Sequence, residues 1–294
     1  MVKNDKCFQI IANGIMTVIV SLCVIPFALL IISSFTAEAS LIKHGYSFFP
    51  KELSLDAYKT ILVDSNSILR GYGLSFLITI AGTTANLLLT VFMAYPLSRR
   101  DMPGRRALAF VIFFTMLFNG GLVPSYMMWV NVFRIKNTIW ALLVPNLLMG
   151  AFYVIMMRTY FTANIPESVL EAARMDGAGE FQTLFWLVIP MSKPIIATLV
   201  LLVGLNYWND WTNGLYYVTN DRLFSIQVLL NKMLLDVQFL MNSAISGATA
   251  RNIQLPAIGI RMAVAVLGAL PVFVIYPFFQ KYFVEGIVIG AVKG

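Results

Sequence analysis

The sequence has 294 residues, of which 59% are hydrophobic and only 12% charged, and its mean hydropathy is +0.79. Soluble chains run about half apolar and about a quarter charged, so this composition excludes an ordinary soluble domain and indicates an all-α protein that crosses a membrane several times. Two cysteines exclude a disulfide scaffold and the lone histidine, His44, excludes a histidine-built metal site; the +7 balance, with no basic stripe to track a groove, fits basic membrane loops and not nucleic acid.

A charge at mid-bilayer costs about 2.5–3.5 kcal/mol, so uncharged runs locate the spans. Six are predicted, at approximately residues 10–35, 71–97, 107–130, 138–158, 192–213 and 260–282, within a single membrane domain covering 1–294. The first follows the charged start of the chain. Ala37-Glu38-Ala39 imitates a signal-peptide cleavage site, but the apolar run before it is far longer than a signal core of about 7–15 residues, so it is expected to stay as a helix. Cys7 and Cys23 both lie on it. They are about 24 Å apart by helical rise, too far to pair. An outer segment, Glu38 to Arg70, leads to the second span. The loop Arg99-Arg100-Asp101-Met102-Pro103-Gly104-Arg105-Arg106 follows, and its four arginines mark the cytoplasmic side. Six crossings then place both termini in the cytoplasm.

The fifth span is short from Pro194 to Asn209. It reaches full length only if Asp210 sits at the outer interface between Trp208 and Trp211, a depth that aromatic residues favour. Beyond it, Ile226, Leu229, Met233, Val237 and Leu240 recur at three- and four-residue spacing, an amphipathic helix that either packs on the outer ends of the spans or docks a partner.

The loop between spans four and five is too long for a mere connection. In residues 164–190, Pro166 suits a first helical turn, Glu167 complements the helix dipole, and Gly177 suits a left-handed stop. A second helical piece should run from Glu180 and end before Pro190 and Pro194. The segment has few large apolar residues for lipid burial, while Ala172 and Ala173 admit a close neighbour and Glu171, Arg174 and Asp176 offer charged contacts. This is a docking helix, or else an amphipathic interfacial helix; its acidic residues disfavour an anionic leaflet.

Glu171-Ala172-Ala173, Asp176-Gly177-Ala178, Phe185, Ile189-Pro190 and Pro194 resemble the EAA motif of ABC importer permeases. Ala94-Tyr95-Pro96-Leu97-Ser98-Arg99 with Pro103-Gly104-Arg105, Gly120-Gly121-Leu122-Val123-Pro124-Ser125-Tyr126, Trp208-Asn209-Asp210-Trp211, and the tail from Gln280 to Gly294 are similar to the carbohydrate, maltose-type branch and its oligosaccharide subgroup. Pro96 departs from the pattern, where Ala is commoner. The resemblance implies a type I ABC importer permease fold, with a cytoplasmic coupling helix that sits in a cleft of an ATPase subunit. Glu171, Ala172, Ala173, Arg174, Asp176, Gly177 and Ala178 would carry that coupling. It also implies a heterodimer with a second homologous permease, two ATPase subunits, and an extracellular or periplasmic solute-binding protein, all in a bacterial cytoplasmic membrane. The tail would insert between the ATPase subunits.

No Gly-x-x-x-x-Gly-Lys-Ser/Thr loop occurs, so the chain is not expected to be an enzyme or to hold a cofactor; ATP and Mg belong to the ATPase subunits. The spans carry no acidic residue at mid-depth, which argues against an ion-coupled secondary transporter. An ABC permease for a non-carbohydrate solute is the nearer alternative. For a sugar path, aromatics stack on sugar faces and amides bond hydroxyls. Asn119, Tyr126, Asn206, Tyr207, Trp208, Asn209 and Trp211 are the candidates, with Asn86, Trp129, Asn146 and Tyr153 in reserve. Interface anchoring and helix–helix bonding compete for each.

Overall fold

The computed structural model describes residues 6–63, 65–245 and 257–291. Among these the secondary structure is helical, and the isolated bridge Thr36–Leu53 is the extended pairing. In chain order, α1 is Lys6–Ser34, α2 Glu38–His44, α3 Asp56–Leu62, α4 Ser65–Ser98, α5 Arg105–Leu117, α6 Leu122–Met127 and α7 Trp140–Leu143. They are followed by α8 Ala151–Asn164, α9 Glu167–Met175, α10 Glu180–Thr183, α11 Ile189–Met191, α12 Lys193–Asn209, α13 Thr212–Tyr217, α14 Ile226–Ile245 and α15 Ala257–Ala291. The helices group into two compact units, one of residues 1–68 and 230–271, the other of residues 69–229 and 272–294.

In the first unit, α1 turns over at Phe35, whose ring stacks on Tyr58 of α3 at 5.0 Å, while the Ser34 and Tyr58 hydroxyls share a 2.8 Å hydrogen bond. Glu38, at the start of α2, accepts the backbone N–H groups of Ile258 and Gly259 at 3.0 and 2.9 Å. Those are orphan donors in the first turn of α15, so the carboxylate both caps that helix and neutralises its dipole.

In the second unit, one apolar cluster joins Val91, Ala94 and Leu97 of α4 to Ile112 of α5, Val154, Met157 and Phe161 of α8, and Ile195 and Leu199 of α12. Another joins Ile78 of α4 to Ala141 and Leu142 of α7, Val203 and Tyr207 of α12, and Val228 of α14. Close approach sets the spacing between α4 and α12: a Cβ added at Gly82 would lie 2.4 Å from two ring carbons of Tyr207. That ring is fixed because its hydroxyl donates to the carbonyl of Leu143 at 2.9 Å.

Three helices among the described residues are long and apolar enough to cross a bilayer: Phe8–Ser34, Asn66–Ser98 and Ile258–Phe278. They carry the first, second and sixth expected spans. The third is bent by 114° between Arg105–Leu117 and Leu122–Val132. Phe118 is extended, Gly121 has φ +85°, and the Asn119 side chain accepts the Gly121 N–H at 2.9 Å, so the chain turns where a continuous helix was expected. The fifth, expected at 192–213, is carried by α12, and an 81° bend between Glu180–Met191 and Lys193–Asn209 separates it from the short helical piece expected before it. The helical piece expected to end before Pro190 runs through it, because a wider π turn over Leu184–Val188 precedes that proline and absorbs its missing N–H. The fourth expected span is not one helix. Asn146 is left-handed (φ 60°) and Gly150 extended, so α7 stops early and α8 is shifted toward Asn164. These breaks make three to five candidate crossings by length and composition where six were expected.

The expected amphipathic helix is α14. Ile226 is fully buried and Met233 half-buried, while Val228 and Leu230, not on the expected stripe, are buried as well. The side chains of Val237 and Leu240 lie outside the described residues, as do those of the tail from Lys281 onward and the whole of residues 292–294.

Candidate functional site

Residues 164–190 form a compact helix–turn–helix. Pro166 is extended at the N-cap and α9 starts at Glu167. Its end is a Schellman stop: Ala178 N–H bonds the Ala173 carbonyl at 2.9 Å, Gly177 N–H the Arg174 carbonyl at 3.0 Å, and Gly177 takes φ +79°. The stop turns the chain into α10, where the Gln182 side chain accepts the Gly179 N–H at 3.0 Å. Of the residues expected to carry coupling, Ala173 is buried and Ala178 half-buried; Glu171, Ala172, Arg174, Asp176 and Gly177 are exposed. Met175 at the end of α9 is 87% exposed and Trp186, in the π turn after α10, is 81% exposed, a large apolar surface in a segment that also carries exposed acids.

Arg174 is used within the chain. Its Nη2 donates to Asp101 Oδ2 at 2.5 Å and to Glu180 Oε1 at 3.2 Å. Glu180 Oε2 accepts the hydroxyl of Tyr95 at 2.6 Å, and the Arg99 guanidinium lies 5.8 Å over the Tyr95 ring. At the other end of α9, Arg100 pairs with Glu167 at 3.5 Å. Exposed ion pairs contribute about 0.2–1 kcal/mol each. The Tyr95–Glu180 bond joins a buried tyrosine to a charge and is worth about 1.5–3 kcal/mol. Arg174 holds the Asp101 carboxyl below the usual carboxylate range, chiefly through their hydrogen bond. Between these ties lies a cleft of about 290 Å³ whose lining includes Ser98, Phe161, Leu170 and Glu171.

Sequence reasoning missed Asp101, Tyr95 and Glu180 as partners of this segment. Asp101 is the single acid in an arginine-rich loop, a signal that it has a specific partner, but a separation of 73 positions from Arg174 hid which one.

The sugar-path candidates divide. Tyr207 and Trp208 are buried; Tyr207 packs against Gly82, and Trp208 lies against Tyr72 and Phe76 with ring centroids 6.2 and 5.2 Å away. Asn206 and Asn209 are exposed and Trp211 partly so. The Asn206 amide donates to the Tyr153 hydroxyl at 2.5 Å, joining α12 to α8. Tyr126 stacks on Tyr217 at 5.7 Å, and Asn119 serves the bend after α5. Asn86 is fully buried and committed to the carbonyl of Leu147 and to Thr90. Asp210 receives the Thr212 hydroxyl at 2.6 Å at the start of α13. Asn213, within α13, donates to the carbonyl of Pro145 at 2.9 Å. Near the end of α12, Asn206, Asn209 and Trp211 are exposed, and Tyr153 is half-buried, as is Tyr126.

Comparison with known proteins agrees with this architecture. The model of the family described as binding-protein-dependent transport system inner membrane component matches residues 86–289. Protein LplC of Bacillus subtilis (strain 168) is 35% identical over 290 residues, 99% of this chain and 95% of the relative. The polygalacturonan/rhamnogalacturonan transport system permease protein YtcP of the same organism is 34% identical over 294 residues, covering 99% of this chain and all of the relative. Among solved structures, a chain of a bacterial ABC transporter involved in import of the acidic polysaccharide alginate superposes with TM-score 0.79 at 28% identity, over 96% of this chain and 99% of that one. A multi-pass helical chain matched over residues 86–289 belongs to the family of inner membrane components of binding-protein-dependent transport systems, the permease subunits of ABC importers.

Proposed function

We propose that this chain is the permease subunit of an ATP-driven importer for carbohydrate, an oligosaccharide or polysaccharide fragment. It lies in the bacterial cytoplasmic membrane in six crossings, the third and fourth of them broken, with both termini cytoplasmic. It pairs with a second, homologous permease. Two ATPase subunits, which hold ATP and Mg, grip α9 through Glu171, Ala172 and Asp176. An extracellular or periplasmic solute-binding protein delivers the sugar, and lipid surrounds the apolar faces. Asn206, Asn209 and Trp211, with Tyr153 beside them, face the solute path; the buried Tyr207 and Trp208 hold the end of α12 that presents them.

The observation that carries this reading is the exposed, acid-bearing α9 with its left-handed Gly177 stop, in a chain of this family. Support for carbohydrate comes from relatives named for polygalacturonan/rhamnogalacturonan and for arabinooligosaccharides, and from the alginate importer. The test is uptake of labelled oligosaccharides by the complete transporter in liposomes. Glu171→Ala and Gly177→Val should each lower uptake about tenfold, within the 5–150-fold span of ordinary coupling energies, with membrane insertion unchanged. Wild-type uptake in both would overturn the docking assignment. A cognate binding protein that holds no saccharide would overturn the substrate class.

A further inference from the structure

The coupling segment is joined to the spans by its own backbone, through α8 before it and through α10 and α11 after it. Side chains join it a third time. Arg100 holds Glu167 at the first turn of α9, and Asp101, the next residue in the same loop, holds Arg174 at the last turn. The second tie continues from Arg174 to Glu180 and from Glu180 to Tyr95. Tyr95 lies in the last turn of α4, where it is buried among Val91, Ala94 and Leu97, so its hydroxyl has a fixed origin. The loop itself is held back on α4: Arg99 N–H bonds the Pro96 carbonyl at 3.0 Å, and Arg105 reaches the Arg99 carbonyl at 3.4 Å.

We infer that α9, the loop at residues 99–101 and the cytoplasmic end of α4 move as one piece, so that a push on α9 is delivered by side chains to the second span, with Asp101, Glu180 and Tyr95 as positioning residues. The inference rests on the coupling reading of α9. Its physical basis is where the contacts fall. Beneath α9, Leu170 packs against the apolar cluster, Ala173 offers almost no side chain to interlock, and a cleft lies along Leu170 and Glu171. A single leucine leaves the two ends of the helix unkeyed. Charged pairs at both ends fix its register: Arg100 meets Glu167, and one Arg174 nitrogen meets two carboxylates that come from different elements.

The test uses the complete transporter in liposomes, with Cys7 and Cys23 replaced by Ser. Arg100→Cys and Glu167→Cys are bridged by a short bifunctional thiol reagent. Cross-linked transporter should keep uptake within about twofold of the unbridged sample, since the two ends never separate in the cycle. Separately, Asp101→Asn with Glu180→Gln should reduce uptake per ATP hydrolysed about tenfold while the ATPase subunits still co-purify. The conservative pair Asp101→Glu with Glu180→Asp should restore most of it. Uptake abolished by the bridge, wild-type uptake in the neutral pair, or failure of the conservative pair to restore function would each overturn the inference. Glu171→Ala in the same preparation separates the two readings. If it lowers uptake while the neutral pair does not, only the side-chain strut fails; if both it and Gly177→Val have no effect, the coupling role of α9 fails.

Discussion

Glu38 shows how one side chain can serve two elements. Its carboxylate takes two N–H groups, those of Ile258 and Gly259, at the head of α15. Glu38→Ala should therefore cost about 1–2 kcal/mol, the range for losing a helix cap with its charge, read as a lower unfolding temperature in detergent. Asp101 gives a pH prediction of definite sign. Its folded carboxyl is held below the usual value of 3.8 by Arg174, its own backbone N–H and Arg99. A depressed folded value means that the tie is complete above the unfolded value and is lost as pH falls through the lower, folded one. Hydrogen-exchange protection at α9, taken relative to the intrinsic base-catalysed rate at each pH, should stay flat from about pH 8 to pH 5 and fall only under stronger acid. A loss of protection near pH 6 would contradict the assignment.

At the scale of elements, helix–helix joints depend on a few buried amides. Asn213→Ala would leave the carbonyl of the buried Pro145 without its donor and should cost about 1–3 kcal/mol, measured by thermal unfolding of the purified chain. The same region shows what the sequence could and could not reveal. The long uncharged runs under α1, α4 and α15 were legible because insertion energy depends on composition, which a window can sum. The bends after Phe118 and near Asn146 were not, although Gly120, Gly121, Pro145 and Gly150 stood in plain view, whereas Pro190 and Pro194 did mark the break at Ser192 ahead of the fifth span. A glycine or proline permits a bend, but neighbouring helices decide whether it is taken. Residues 164–190 were legible for the opposite reason: Glu167 and Gly177 act within a turn or two, so local chemistry suffices. The start of α9 differed by a single residue, with Pro166 just outside it. The ties to Asp101 and Tyr95 are long-range in sequence and had no local mark.

Across the whole molecule, the absence of a phosphate-cradling loop from the sequence sets a simple biochemical expectation: purified chain should hydrolyse no ATP until an ATPase subunit is added. Activity of the chain alone, surviving mutation of any contaminating ATPase, would contradict it. Large apolar side chains such as Phe8, Ile10, Phe110 and Phe278 are exposed in the isolated chain, as suits a protein solvated by hydrocarbon. The contact between Gly82 and Tyr207 has a consequence for descent. Because the tyrosine ring fills the space a methyl would need, and is pinned by its own hydroxyl, position 82 cannot gain a side chain while the ring stays. Sequences that diverge from this one should therefore admit a bulkier residue at 82 only where 207 has shed its ring.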